Sequence, residues 1–96
     1  MLLETPYEMA ASAAVRFRKL RLSKKVTIKA LSERSGVPYS TIRRFESTGE
    51  ISFLSLVKMT SALGEDDQIT GLFSDIVPAS IEEVIRGNRS ETGNLQ

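Results

Sequence analysis

An all-α chain of five helices is what this sequence predicts, and three observations predict it. Apolar residues recur at spacings of three and four from Ala10 to Ile76. Four such stretches open on a residue suited to a helix N-cap, and three close at a glycine. No run of alternating apolar and polar residues long enough for a strand intervenes. At 96 residues the chain is sized for one domain with a modest core.

Helix 1 starts at a capping box, Thr5-Pro6-Tyr7-Glu8, with Thr5 at N-cap, Pro6 at N1 and Glu8 at N3. Ala10, Ala13, Ala14, Phe17 and Leu20 form its apolar stripe, and it should end near Leu22 or Ser23. Thr27 caps helix 2, expected over 28–35, with Ile28 and Leu31 facing inward. Gly36 ends it by adopting positive φ. A turn of only Gly36-Val37-Pro38 then leads into helix 3, which runs to about Phe45 or Ser47 and closes at Gly49. Ser52 caps helix 4, whose expected inner side is Phe53, Leu56, Val57, Thr60 and Leu63, with Gly64 as its stop. Asp66 or Asp67 caps helix 5, in which Ile69, Leu72, Phe73 and Ile76 are apolar. After Pro78, Ser80-Ile81-Glu82-Glu83 is a second capping-box pattern, and residues 88–96 are polar and expected to lack structure. The expected organisation is a domain over 1–77 and a short C-terminal extension over 78–96.

The charge is unevenly placed. The formal net charge is +1, yet Arg16 to Arg44 holds ten Lys/Arg and one acid, and the rest holds three bases and eleven acids. A basic segment of that kind is a candidate phosphate-binding surface. Cysteine and histidine are both absent, which removes disulfides, thiolate nucleophiles and imidazole bases. Neither a glycine-rich phosphate loop nor paired catalytic acids can be recognised, so an enzyme is not expected, nor is a metal or other cofactor. The start MLLETPYEM lacks a basic stretch followed by an apolar one, and no apolar run nears the roughly 20 residues of a membrane span. The cytoplasm is the expected compartment.

Two short helices joined by a tight glycine turn inside an all-helical chain make a helix-turn-helix. At 100° per residue, Ile42 and Phe45 of helix 3 point to the core with Val37 nearby. Ser40, Arg43 and Arg44 then lie on the opposite side, with Tyr39 and Thr41 on the flanks. That outward side is the one that enters a DNA major groove in such motifs. An arginine there can donate two hydrogen bonds to guanine O6 and N7, or bond a phosphate.

Residues 17–64 resemble the Cro/C1-type helix-turn-helix domain of the xenobiotic-response-element (XRE) family. The stretches that carry the resemblance are FRKLR (17–21), VTIKALSERSGVPYSTIRRFE (26–46) and SFLSLVKMTSALG (52–64). It implies a compact lambda-repressor-like fold. Carried over position by position, it implies base contacts from Tyr39, Ser40 and Arg44. Thr27, Ile28, Lys29, Thr41, Arg43, Ser47 and Thr48 would lie at phosphates, partly through N–H groups at the start of helix 2 and in the loop 47–49. Lys24 and Lys25 would add charge nearby. Arg21 and Glu46 match positions that form an internal ion pair. Ile28 stands where the family commonly has a phosphate-binding glutamine, and Tyr39 where smaller or more flexible side chains are frequent.

The stretches FESTGEIS (45–52) and LFSDIVPASIEEVI (72–85) look like the regulators encoded beside HipA-type serine/threonine kinase toxins. That likeness implies a HipB-like antitoxin that represses its own operon as a homodimer on an inverted-repeat operator and binds a HipA-like kinase. The alternative is a stand-alone or phage-type regulator. Ile69, Leu72, Phe73 and Ile76 are more apolar than one small core needs, and are the expected dimer interface. Phe17, Phe45, Phe53 and Phe73 suit core or interface, and Met9 and Met59 suit packing.

Overall fold

The computed structural model describes residues 3–76. Its elements are α1 (Pro6–Ser23), α2 (Ile28–Ser35), α3 (Tyr39–Thr48), α4 (Phe53–Ala62) and α5 (Asp66–Thr70). Among the described residues there is no strand, and no helix is long and apolar enough to cross a membrane. The expected helix from Ser80 and the polar segment 88–96 lie outside the described residues.

Local chemistry sets the helix ends. The Thr5 hydroxyl accepts from the Glu8 N–H at 3.1 Å, and the Glu8 carboxylate accepts from the Thr5 N–H at 2.8 Å. Both bonds favour the ionised carboxylate, so the Glu8 carboxyl is held below its ordinary range. Thr27 accepts from Ala30 and Ser52 from Ser55 in the same way. α5 departs from expectation. Glu65, not an aspartate, occupies its N-cap and makes no side-chain cap bond, while Asp66 and Asp67 sit in the first turn. Two charges there favour the positive end of the helix dipole without bonding it.

α1 packs on α3, α2 packs on α3 and α4, and α4 packs on α5. Their shared core is Ala14 and Phe17 of α1, Leu31 of α2, Ile42 and Phe45 of α3, and Met59 and Leu63 of α4, closed by Val26 and Val37 from the turns. Phe17 and Phe45 meet edge to face, with centroids 5.4 Å apart and planes at 73°. α4 turns differently from the expected register. Met59 is fully buried, whereas Phe53 is 59% exposed. Ile51, just ahead of the Ser52 cap, packs on the core in its place, so the first turn of α4 stands at the core's margin. Met9, expected to pack, is also exposed.

The tight turn between α2 and α3 satisfies its own polar groups. Gly36 adopts φ +77° and donates to the Ser32 carbonyl at 2.9 Å. Ser32 donates its hydroxyl to the Val37 carbonyl at 2.6 Å, and Ser35 accepts from the Val37 N–H at 3.1 Å. The Ser32 hydroxyl thus helps to close the turn. Gly49 is the other critical glycine. It has φ +86°, and a Cβ there would lie 2.6 Å from the Ala10 carbonyl carbon. The chain leaving α3 is thus pressed against the backbone of α1, a place no larger residue can take.

Arg21 is the one buried cation among the described residues, at 5% exposure. Its Nε and Nη2 donate to the two Glu46 oxygens at 2.7 and 2.8 Å, and Nη1 donates to the Val26 carbonyl at 2.8 Å. The bonds to Glu46 raise the guanidinium pKa above its ordinary value, against the opposing effect of burial. The pair therefore ties the end of α1 to the last turns of α3 and to the turn before α2. Glu46→Ala leaves the guanidinium buried without its carboxylate, which typically costs about 3–5 kcal/mol. Thermal and urea unfolding of that variant should show the domain largely or wholly unfolded; melting near that of the wild type would remove the pair from the account.

Candidate nucleic-acid interface

α3 presents its polar side outward as its periodicity dictates. Ile42 and Phe45 are buried at 0% and 3% exposure, while Tyr39, Ser40, Arg43 and Arg44 are exposed and Thr41 is half-buried. The start of α3 has no side-chain cap, since Pro38 occupies the N-cap. The Pro38 carbonyl accepts from Thr41 and Ile42, and the N–H groups ahead of them, on Tyr39 and Ser40, belong to the first turn that a helix leaves unpaired. Those donors and the positive end of the helix dipole favour an anion.

α2 begins beside α3. The Thr27 hydroxyl accepts the cap bond from the Ala30 N–H, which leaves its own O–H to donate; a phosphate there would meet that hydroxyl and the N–H groups of Ile28 and Lys29. Ile28 is half-buried against the core. With Tyr39, Arg43, Ser47, Arg18, Arg21 and Glu46 it lines an open cleft of about 370 Å³ between α1, α2 and α3. Arg18 is the residue that the sequence reading missed here. Its side chain is 62% exposed, and its Nε lies 3.9 Å from Glu46 Oε1. Its spacing of three from Arg21, toward the same partner on α3, was the available signal. Arg18 and Arg43 thus bring two exposed guanidinium groups to a cleft that the buried Arg21 also lines.

Three expected contributions come out differently. Ser47 and Thr48 belong to the last turn of α3, not to a loop of free donors. Both hydroxyls donate to the Arg44 carbonyl, at 3.1 and 2.7 Å, and the Gly49 N–H donates to the Phe45 carbonyl at 2.7 Å. The donors expected to serve phosphate at 47–49 are therefore engaged within the protein. Lys24 is not a free charge either, because its Nζ bonds Glu65 at 2.8 Å. Hydrogen bonds from Lys24 and Gln68 hold the Glu65 carboxyl below its ordinary range, and the Lys24 bond links the turn after α1 to the turn before α5. Finally, Arg44 is exposed as expected but not alone: its Nη2 lies 2.7 Å from Glu50 Oε2. Lys25, Lys29 and Arg34 remain exposed around α2.

The expected dimer residues are apolar and outward, though not on one helix. α5 ends at Thr70, so Leu72, Phe73 and Ile76 follow it in the chain. Ile69 is half-buried, and Leu72, Phe73 and Ile76 are 41%, 90% and 66% exposed. Ile69 and Leu72 also line an open apolar groove of about 510 Å³ floored by Phe17, Leu20, Phe45 and Leu56.

No curated protein and no solved structure matches the chain. A family model described as Helix-turn-helix matches residues 17–69, from within α1 to α5 and more than half of the 96 residues. Together with an all-helical fold whose third helix turns its arginines outward, that match makes this chain a member of the Cro/C1-type (XRE) helix-turn-helix family of DNA-binding transcription regulators.

Proposed function

We propose that the chain is a sequence-specific repressor that binds an inverted-repeat operator as a homodimer. The observation that carries this reading is the outward row of Tyr39, Ser40, Arg43 and Arg44 on a helix whose opposite side is sealed by Ile42 and Phe45. In this reading Tyr39, Ser40 and Arg44 contact bases. Arg43, Thr41 and Lys29, with the N–H groups of Ile28 and Lys29, contact phosphates, and Arg18 joins them across the cleft. Thr27 caps α2 and donates its own O–H to a phosphate, and Ser47 and Thr48 close the last turn of α3 by bonding the Arg44 carbonyl. Phosphate contacts supply most of the affinity, which falls steeply with salt. Removing the Arg44 side chain should cost about 1–3 kcal/mol per half-site and relax discrimination at one base pair. Titration of wild type and Arg44→Ala against single-substitution variants of the DNA upstream of the gene checks this; an unchanged ranking of the panel would contradict base reading by Arg44.

One such domain binds weakly, and two read half-sites about 34–36 Å apart. Leu72, Phe73 and Ile76, with Ile69 beside them, support a twofold seam, because exposed apolar side chains are stabilised by burial against their own copies. Phe73→Ala combined with Ile76→Ala removes side chains that carry none of the core. Sedimentation should show that variant mostly monomeric at concentrations where the wild type is dimeric, with its melting as a monomer preserved. A variant as dimeric as the wild type would place the seam elsewhere.

We further propose that the repressor is a HipB-like antitoxin whose partner is a HipA-like serine/threonine kinase. The resemblance over FESTGEIS and LFSDIVPASIEEVI supports it. So does exposed apolar surface outside α3, with Phe53 and Leu54 at 59% and 63% exposure in the first turn of α4. A kinase gene beside this one, whose product co-purifies with the chain, is the expected result. A neighbourhood without a kinase gene would favour a stand-alone or phage-type regulator.

A further inference from the structure

We propose that Glu50 is a positioning residue for Arg44: it holds the guanidinium in the pose that reads its base pair, and so sharpens sequence discrimination without itself bonding DNA. The proposal rests on the reading of Arg44 as a base contact. Arg44 Nη2 lies 2.7 Å from Glu50 Oε2 and 3.4 Å from Glu50 Oε1. Both contacts use the same nitrogen, which carries two hydrogens. The Nη2 hydrogen that Glu50 does not hold is left, with the neighbouring Nη1 or Nε hydrogen, to form the fork that donates to guanine O6 and N7.

The carboxylate stands on a fixed base. The Glu50 N–H donates to Thr48 Oγ1 at 3.1 Å, and that hydroxyl donates to the Arg44 carbonyl at 2.7 Å. Between Thr48 and Glu50, Gly49 is held against the α1 backbone at Ala10 and Ala11. The loop therefore closes a ring from the Arg44 backbone to the Arg44 side chain. An arginine on a flexible stem loses rotamer freedom when it docks on a base, and a partner that restrains it beforehand lessens that loss. General electrostatics argue against an acid beside this surface, since phosphates repel it. Its place six residues beyond Arg44 also does not follow from the three-or-four spacing that pairs charges along one helix. A role in discrimination accounts for both.

The test uses purified full-length chain and the panel of DNA variants described above. Five proteins are titrated: wild type, Glu50→Ala, Arg44→Ala, the double variant, and Glu50→Gln as the conservative case. Both side chains are mostly exposed, at 69% and 59%, so folding is retained and is checked by melting. Glu50→Ala should lower discrimination at the base pair read by Arg44 by about twofold to fivefold, the range set by exposed ion pairs. Its overall DNA affinity should hold steady or rise, because a negative charge has gone. Glu50→Gln, which keeps an acceptor oxygen, should fall between the two. In the Arg44→Ala background the Glu50 substitution should leave discrimination unchanged. If Arg44→Ala flattens one position while Glu50→Ala ranks the panel as wild type does, Glu50 has no part in reading and the proposal fails alone. An equal effect of Glu50→Ala with and without Arg44 would equally overturn it. If Arg44→Ala itself leaves the ranking intact, the base-reading role fails first and takes this inference with it.

Discussion

The ion pair between Arg21 and Glu46 is the constraint on which the rest of the arrangement depends. It sits where α1, α3 and the turn before α2 converge, with Nε, Nη1 and Nη2 of the guanidinium each bonded inside the protein. A buried pair of this kind is not a large source of stability, because desolvating both charges offsets much of their attraction. Its effect is geometric. A guanidinium meets a carboxylate side by side in one plane, so the last turns of α3 are fixed in rotation relative to α1. Phe17 and Phe45 pack on the same two helices and hold their separation. With the rotation of α3 set at that end, the direction in which Tyr39, Arg43 and Arg44 point is set as well.

That orientation explains how a chain with a formal net charge of +1 comes to have a DNA-binding face. The positive charge is concentrated between Arg16 and Arg44. The fold turns most of it outward on the two helices of the motif and the turn before them, and turns Arg21 inward. Acids neutralise the cations selectively. Glu46 pairs with Arg21, Glu65 with Lys24, and Glu50 with Arg44. Among the described residues Lys29 and Arg43 enter no ion pair, while Arg44 is paired with Glu50.

Much of this was legible in the sequence wherever a local rule acts alone. The Thr5-Pro6-Tyr7-Glu8 box, Thr27, Gly36, Ser52 and Gly49 each mark a helix end through bonds within a few residues, and the structure has each of them where the pattern predicts. The inward side of α3 followed from its period. Phe53 did not follow from its period, because spacing says which side a residue is on and not whether anything covers it. α5 was read too long for the same reason: Leu72, Phe73 and Ile76 are apolar, but the helix stops at Thr70. The Arg44–Glu50 pair and the cleft shared by Arg18 and Arg43 depend on how a loop folds back and how two helices cross. Residue spacing does not carry the first, and of the second it offers only Arg18's place three residues before Arg21.

The central claim is that the side of α3 bearing Tyr39, Ser40, Arg43 and Arg44 is the DNA-facing surface. Backbone amide chemical shifts of the labelled chain, followed as DNA from upstream of its gene is added at low salt, test it most directly. The account predicts perturbations concentrated at Ile28 and Lys29 and along Tyr39 to Arg44, with the first turn of α4 unaffected. Perturbations concentrated on α4 and α5, with the start of α3 silent, would contradict it.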